Sequence, residues 1–162
     1  MKKILFVCSG NVFRSLSAEY CLEKILKQKK NTSWQVMSAG ITAKPQPIDP
    51  KTRAVLKKCG IITIKHQQHK LNRRLLASAT IVIPMAKNHL NFIQSKFGYT
   101  KAKLFNQVAL GKRTSIWDIE DEVKDYATNR IGVEKKIEKT IRYIAKQTPR
   151  VYKNLQKYIL TK

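Results

Sequence analysis

Ile4-Leu5-Phe6-Val7-Cys8-Ser9-Gly10-Asn11-Val12-Phe13-Arg14-Ser15-Leu16 is the stretch that decides how this chain is read. Four consecutive apolar residues predict a short buried strand, and a helical pattern starts near Leu16. The residues between them form a tight loop that ends at a helix N-terminus. Backbone N–H groups of such a loop point inward, and the helix dipole adds positive potential, so the loop favours a dianion. Arg14 follows Cys8 after five intervening residues, and a guanidinium can grip two phosphate oxygens at once. A cysteine in the same cradle is expected to react as its thiolate. A bare C-x5-R spacing arises easily by chance. The strand before it, Gly10-Asn11 inside it, Ser15 after it and the helix beyond it set this one apart. The stretch points to attack by Cys8 on a bound phosphoryl group.

Outward from that loop, strand-like and helical segments alternate. Leu16–Gln28 reads as a helix, with Ala18, Cys21, Leu22, Ile25 and Leu26 on one face. Trp34–Ser38 is a second strand. Asp49-Pro50 marks a helix start, with Asp as cap and Pro in the first position; that helix runs to about Lys58 and stops at Gly60. Leu71–Ala77 is a short helix, and Thr80–Pro84 is a third strand rich in β-branched residues. Ala86–Phe97 is a helix ended by Gly98, and Lys103–Phe105 is expected to be a short fourth strand. Residues 106–126 read as a polar loop, and a long amphipathic helix bent at Pro149 fills most of the rest. Repeated β-α-β units predict a parallel sheet with helices on both faces. The site in such a sheet lies at the carboxyl ends of the strands, which is where Cys8 falls.

Residues 1–162 are expected to form a single domain, long enough to bury a sizeable core. At 43% apolar the composition is that of a globular chain. Three widely spaced cysteines make neither a disulfide framework nor a zinc pattern, so no metal and no cofactor is expected. A reducing, cytoplasmic setting suits a free thiol, with export through a dedicated secretion system still compatible. No stretch approaches the roughly 18 apolar residues of a membrane span, and the apolar run after Lys2-Lys3 is too short for a signal peptide. The net charge of +23 attracts anionic partners. Basic residues are not interleaved with aromatics and no nucleic-acid motif occurs, so no specific nucleic acid is expected.

The ordered set of motifs resembles the low-molecular-weight protein tyrosine phosphatase family along nearly the whole chain. Val7-Cys8-x-Gly10-Asn11-x-x-Arg14-Ser15 stands as that family's signature loop. Ala18-Glu19, Ser38-Ala39-Gly40, Asp49-Pro50 with Ala54 and Leu56, Gly60-Ile61, His66, and Met85 with Asn88 match in order. The resemblance implies a flavodoxin-like α/β three-layer sandwich, with a four-stranded parallel sheet flanked by helices. It implies a cysteine-dependent phosphomonoester hydrolase acting on phosphotyrosine-containing protein through a phosphocysteine, and the +23 charge suits an acidic one. Cys8 would be the nucleophile, Arg14 and the loop at Ser9, Gly10, Val12 and Phe13 the phosphate cradle, and Ser15 the donor to sulfur. Asn11, Ser38 and His66 would hold the loop in a left-handed bend. The family's general acid is the Asp of an Asp-Pro pair. Trp117-Asp118-Ile119-Glu120-Asp121-Glu122-Val123 aligned with a D-I-P-D-P pattern puts it at Asp121, with Asp118 as the other candidate.

Several positions depart from that pattern. Glu122 stands where the proline belongs, Val123 where an aromatic is usual, Phe13 for a second loop cysteine, Ala86 for an Asp after Met85, and Lys44 near an aromatic wall of the pocket. Trp117, Tyr126 or Phe13 could supply another wall. Arsenate reductases of this fold relay a disulfide through two cysteines after the third strand, and Ile83–Asn88 contains none. Phosphoarginine phosphatases carry a threonine where Val12 stands. A catalytically weak phospho-binding or interaction module is the reading from another class, motivated by the altered acid loop and the charge.

Overall fold

A run of apolar side chains without alternation suits a strand covered on both faces. In the computed structural model, which describes residues 1–63 and 65–159, Ile4–Val7 are fully buried in strand β1 (Lys2–Cys8). Strand β2 (Trp34–Gly40) lies on one side of β1 and β3 (Ile81–Pro84) on the other, all parallel, in the order β2-β1-β3. The register sets Phe6 beside Ser38 and Ile83, and Cys8 beside Gly40.

The strand's period of two then divides the core. Ile4, Phe6 and Cys8 face helices α1 (Arg14–Gln28), α5 (Phe105–Leu110) and α7 (Arg130–Ile159), packing on Leu22, Phe105 and Ile144. Leu5 and Val7 face the opposite layer, α3 (Arg73–Ser78) and α4 (Lys87–Phe97), with Leu76, Leu90 and Ile93. Helix α2 (Pro50–Lys58) leans on α1 and α7 through Val55, Leu56, Leu16 and Ile137. Its start is as expected: the Asp49 carboxylate accepts from the Lys51 N–H at 2.8 Å, and Pro50 fills the first position. Gly98 ends α4 in the left-handed region at φ 66°.

The described residues form a three-stranded sheet, so the expected fourth strand at Lys103–Phe105 is corrected. Lys103 N–H donates to the Val82 carbonyl at 3.0 Å, a single bond beside β3. The buried side chains of Leu104 and Phe105 then turn the chain into α5, with Leu104 as its cap. The expected loop 106–126 therefore holds α5 and a single helical turn, α6 (Ile119–Glu122). Between them Ile116 N–H donates to the Met85 carbonyl at 2.8 Å, which fixes the following residues above the carboxyl end of β3. Helix α7 runs on through Pro149. No helix among the described residues is long and apolar enough to cross a membrane.

Candidate active site

Cys8 ends the central strand, and residues 9–13 loop from it into α1. Asn11 takes the left-handed bend at φ 58°, a conformation Asn tolerates better than most residues. Its fully buried side chain pins the bend. Nδ2 donates to Ser15 Oγ at 3.0 Å and to Ser38 Oγ at 2.6 Å, and Oδ1 accepts from the His69 N–H at 2.9 Å. His66 Nε2 donates to the Asn11 carbonyl at 2.9 Å. The turn also brings the Asn11 N–H to 3.3 Å and Ser15 Oγ to 2.9 Å from Cys8 Sγ. Gly40 closes the loop's flank: a Cβ there would sit 2.4 Å from the Ser9 carbonyl oxygen and 2.9 Å from Asn11 N.

Arg14 is the largest fully buried side chain, 1% exposed. Its NH1 donates to the Ile116 carbonyl at 3.0 Å, and NH2 donates to Asp118 Oδ2 at 2.6 Å and Ser9 Oγ at 3.3 Å. Its buried Nε has no hydrogen-bond partner among the described residues. An orphaned buried donor costs on the order of 1–3 kcal/mol, and more when it is charged, which an anion accepting from Nε would recover.

Cys8, Ser9, Gly10, Val12, Phe13 and Arg14 form the floor of a cavity of about 810 Å³. Ile48 and Ile119 add apolar walls, and Lys44, Asp49, Asp118 and Glu120 bring charge to it. Phe13 is the aromatic of this pocket; Trp117 lines a neighbouring groove with Tyr143 and Lys136 instead. The two candidate acids are placed differently. Asp118 is in the cavity and paired with Arg14. Asp121 lies outside it, and its Oδ2 accepts from the Asp118 N–H at 2.9 Å, bracing the start of α6. Glu122 pairs with Lys136 of α7.

Burial tunes the groups behind the loop. Glu19 receives a short hydrogen bond from Ser38, and burial raises its carboxyl to about 7 against that bond's pull downward. His66 is lowered by burial, partly offset by its bond to Asn11. His89, on α4, is fully buried, and burial with the nearby Arg14 charge lowers it to about 3. Its Nε2 lies 3.0 Å from Ser9 Oγ. Sequence reasoning missed this histidine. It matched Asn88 instead, which is exposed; His89 is the residue one place on that turns inward. Among the described residues no group of three or more His, Cys, Asp or Glu could hold a metal ion.

The sequence profile of the low molecular weight phosphotyrosine protein phosphatase family matches residues 3–158. Over 105 residues the chain is 33% identical to the low molecular weight protein-tyrosine-phosphatase Ptp of Acinetobacter johnsonii, covering 64% of this chain and 70% of that one. Over 104 residues it is 34% identical to the protein-arginine-phosphatase of Bacillus subtilis, covering 63% and 67%. The solved arginine phosphatase of Geobacillus stearothermophilus superposes with a TM-score of 0.79 at 26% identity, over 99% of this chain and 96% of that one. A thiol at the end of the central strand, a guanidinium with a free buried N–H beside it, and a profile match over almost every residue agree: the chain belongs to the low molecular weight phosphotyrosine protein phosphatase family.

Proposed function

We propose that the chain hydrolyses protein phosphotyrosine through a phosphocysteine formed on Cys8. The observation that carries this reading is the unpartnered Nε of buried Arg14 above the Cys8 loop. Arg14 and the amides of Ser9, Gly10, Val12 and Phe13 hold the phosphoryl oxygens. The Cys8 thiolate attacks phosphorus, the S–P bond forms and the ester P–O bond breaks. Ser15, whose oxygen already accepts from Asn11, gives its hydroxyl hydrogen to the sulfur. Asn11, Ser38 and His66 keep the bend.

The leaving phenoxide needs a proton. The loop register favours Asp121; position in the cavity favours Asp118, and we assign the acid to Asp118 with Asp121 as its brace. The incoming dianion displaces the Asp118 carboxylate from Arg14; once freed, it takes a proton from solvent and passes that proton to the leaving oxygen. A water then attacks phosphorus, its proton passes to Asp118, the S–P bond breaks, and inorganic phosphate leaves. Apolar Val12, Phe13, Ile48 and Ile119 around the cradle suit a phenyl ring better than a guanidino group. The +23 charge suits acidic phosphoproteins, and a free catalytic thiol suits the cytoplasm.

Turnover of p-nitrophenyl phosphate, a phosphotyrosine peptide and a phosphoarginine peptide tests the reading. Wild type is expected to favour phosphotyrosine, and Cys8→Ser to lose all activity. Equal rates on phosphoarginine would move the substrate, and binding without turnover would leave a phospho-binding module. Asp118→Asn is expected to slow phenyl phosphate by about 10²–10⁴-fold, and p-nitrophenyl phosphate, a better leaving group, much less. The larger effect in Asp121→Asn would return the acid to that residue.

A further inference from the structure

Ser9 is the residue whose hydroxyl the mechanism above does not use. Its oxygen lies within hydrogen-bond distance of two nitrogens from different parts of the chain. Arg14 NH2 donates to it at 3.3 Å. His89 Nε2 stands 3.0 Å from it. The proton on that ring is placed by its other nitrogen: the Ala86 backbone N–H donates to His89 Nδ1 at 3.2 Å. A ring nitrogen that accepts carries no hydrogen, so the neutral imidazole holds its proton on Nε2 and donates it to Ser9. Burial and the Arg14 charge keep His89 neutral down to about pH 3.

A serine hydroxyl has two acceptor lone pairs and one hydrogen. Both lone pairs of Ser9 are taken, so its hydrogen must donate. Ser9 borders the same cavity as Cys8 and Arg14, and the edge of Arg14 that reaches it is the edge that also reaches Asp118. We propose that Ser9 is a side-chain donor to the bound phosphoryl group, and that His89 is the positioning residue that turns its hydrogen into the cavity. The proposal rests on the phosphoryl-transfer reading above. It adds a fixed donor to the loop amides at the point where negative charge is held through the reaction, and pre-aligned donors are what such a centre requires.

The test uses the full chain, with kcat/KM for p-nitrophenyl phosphate and competitive inhibition by inorganic phosphate as readouts. A hydrogen bond to a charged group corresponds to about 10–100-fold. Ser9→Ala is expected to lower kcat/KM by that factor and to weaken phosphate inhibition. The loss is expected to be constant from about pH 5 to about pH 8, because His89 does not titrate there. His89→Leu is expected to lose a similar factor, the double variant no more than either alone, and His89→Gln, whose amide N–H replaces the Nε2 donor, to recover most of it. Independent, multiplying losses in the double variant would overturn the proposal. So would a Ser9→Ala enzyme within about twofold of wild type, a result that stands even if His89→Leu fails to fold. A wild-type protein without turnover would instead sink the functional reading itself.

Discussion

Replacing Asn11 by alanine separates what this residue's side chain does from what its backbone does. Three hydrogen bonds are lost, two from Nδ2 and one to Oδ1. At about 1 kcal/mol each that is ~3 kcal/mol, reduced somewhat because the exposed His69 N–H can turn to water. Alanine must also hold φ 58°, at about 1–2 kcal/mol. The expected destabilisation is ~3–5 kcal/mol, a large share of the roughly 5–15 kcal/mol that stabilises most domains. With a urea slope near ~2 kcal/mol/M the midpoint should fall by about 2 M. Asn11→Gly loses the same bonds and removes the backbone strain, while its unfolded chain gains about 0.5–1 kcal/mol of entropy. Glycine should therefore be the milder change by ~0.5–1 kcal/mol in equilibrium urea unfolding. Both variants should lose turnover of p-nitrophenyl phosphate, because the loop amides no longer converge. An alanine variant as stable as the glycine one would refute the strain argument, and a midpoint shift below about 0.5 M would refute the network's weight.

Two further outcomes follow from charge. The folded state favours a protonated Glu19, raised from 4.5 to about 7 mainly by burial. Its stabilising effect is therefore whole below pH ~4.5 and is lost as pH rises to about 7, at most about 3 kcal/mol; urea midpoints should show that decline in wild type and a flatter profile in Glu19→Gln, and identical profiles would sink the linkage. The +23 charge should make KM for acidic phosphopeptides rise between low and moderate salt, since screening acts over roughly 8 Å at physiological ionic strength, while p-nitrophenyl phosphate changes little; parallel salt curves would mean the charge does not guide substrate choice.

The parts of this molecule that sequence displays are those written in local chemistry. An unbroken apolar run gives β1, an Asp-Pro pair gives the start of α2, and a lone glycine gives the end of α4. The Cys8 loop could be read because strand, loop and helix start lie within a dozen residues. What stayed hidden depends on distant packing. Lys103–Phe105 has the composition of a strand, yet Leu104 and Phe105 are drawn into the core as the start of a helix. The Arg14–Asp118 pair joins residues 104 positions apart, a contact that the register of the acid loop does not display. His89 resembles any helix residue in sequence; only its burial against Ser9 and Ala86 gives it a task.

Those long separations bear on how the enzyme is made. Cys8 is synthesised before the groups that shape its surroundings, which follow from positions 38, 66, 89 and 118. At about 5–20 residues per second, Arg14 waits on the order of 5–20 s for Asp118 to be synthesised. Throughout that interval the nascent thiol has no finished cradle. A truncated chain ending before Asp118 should carry the complete signature loop and yet be inert. Recovery of turnover after dilution from denaturant should lag behind recovery of helix signal, because catalysis reports the closing of contacts between residues far apart in the chain, such as Arg14 and Asp118.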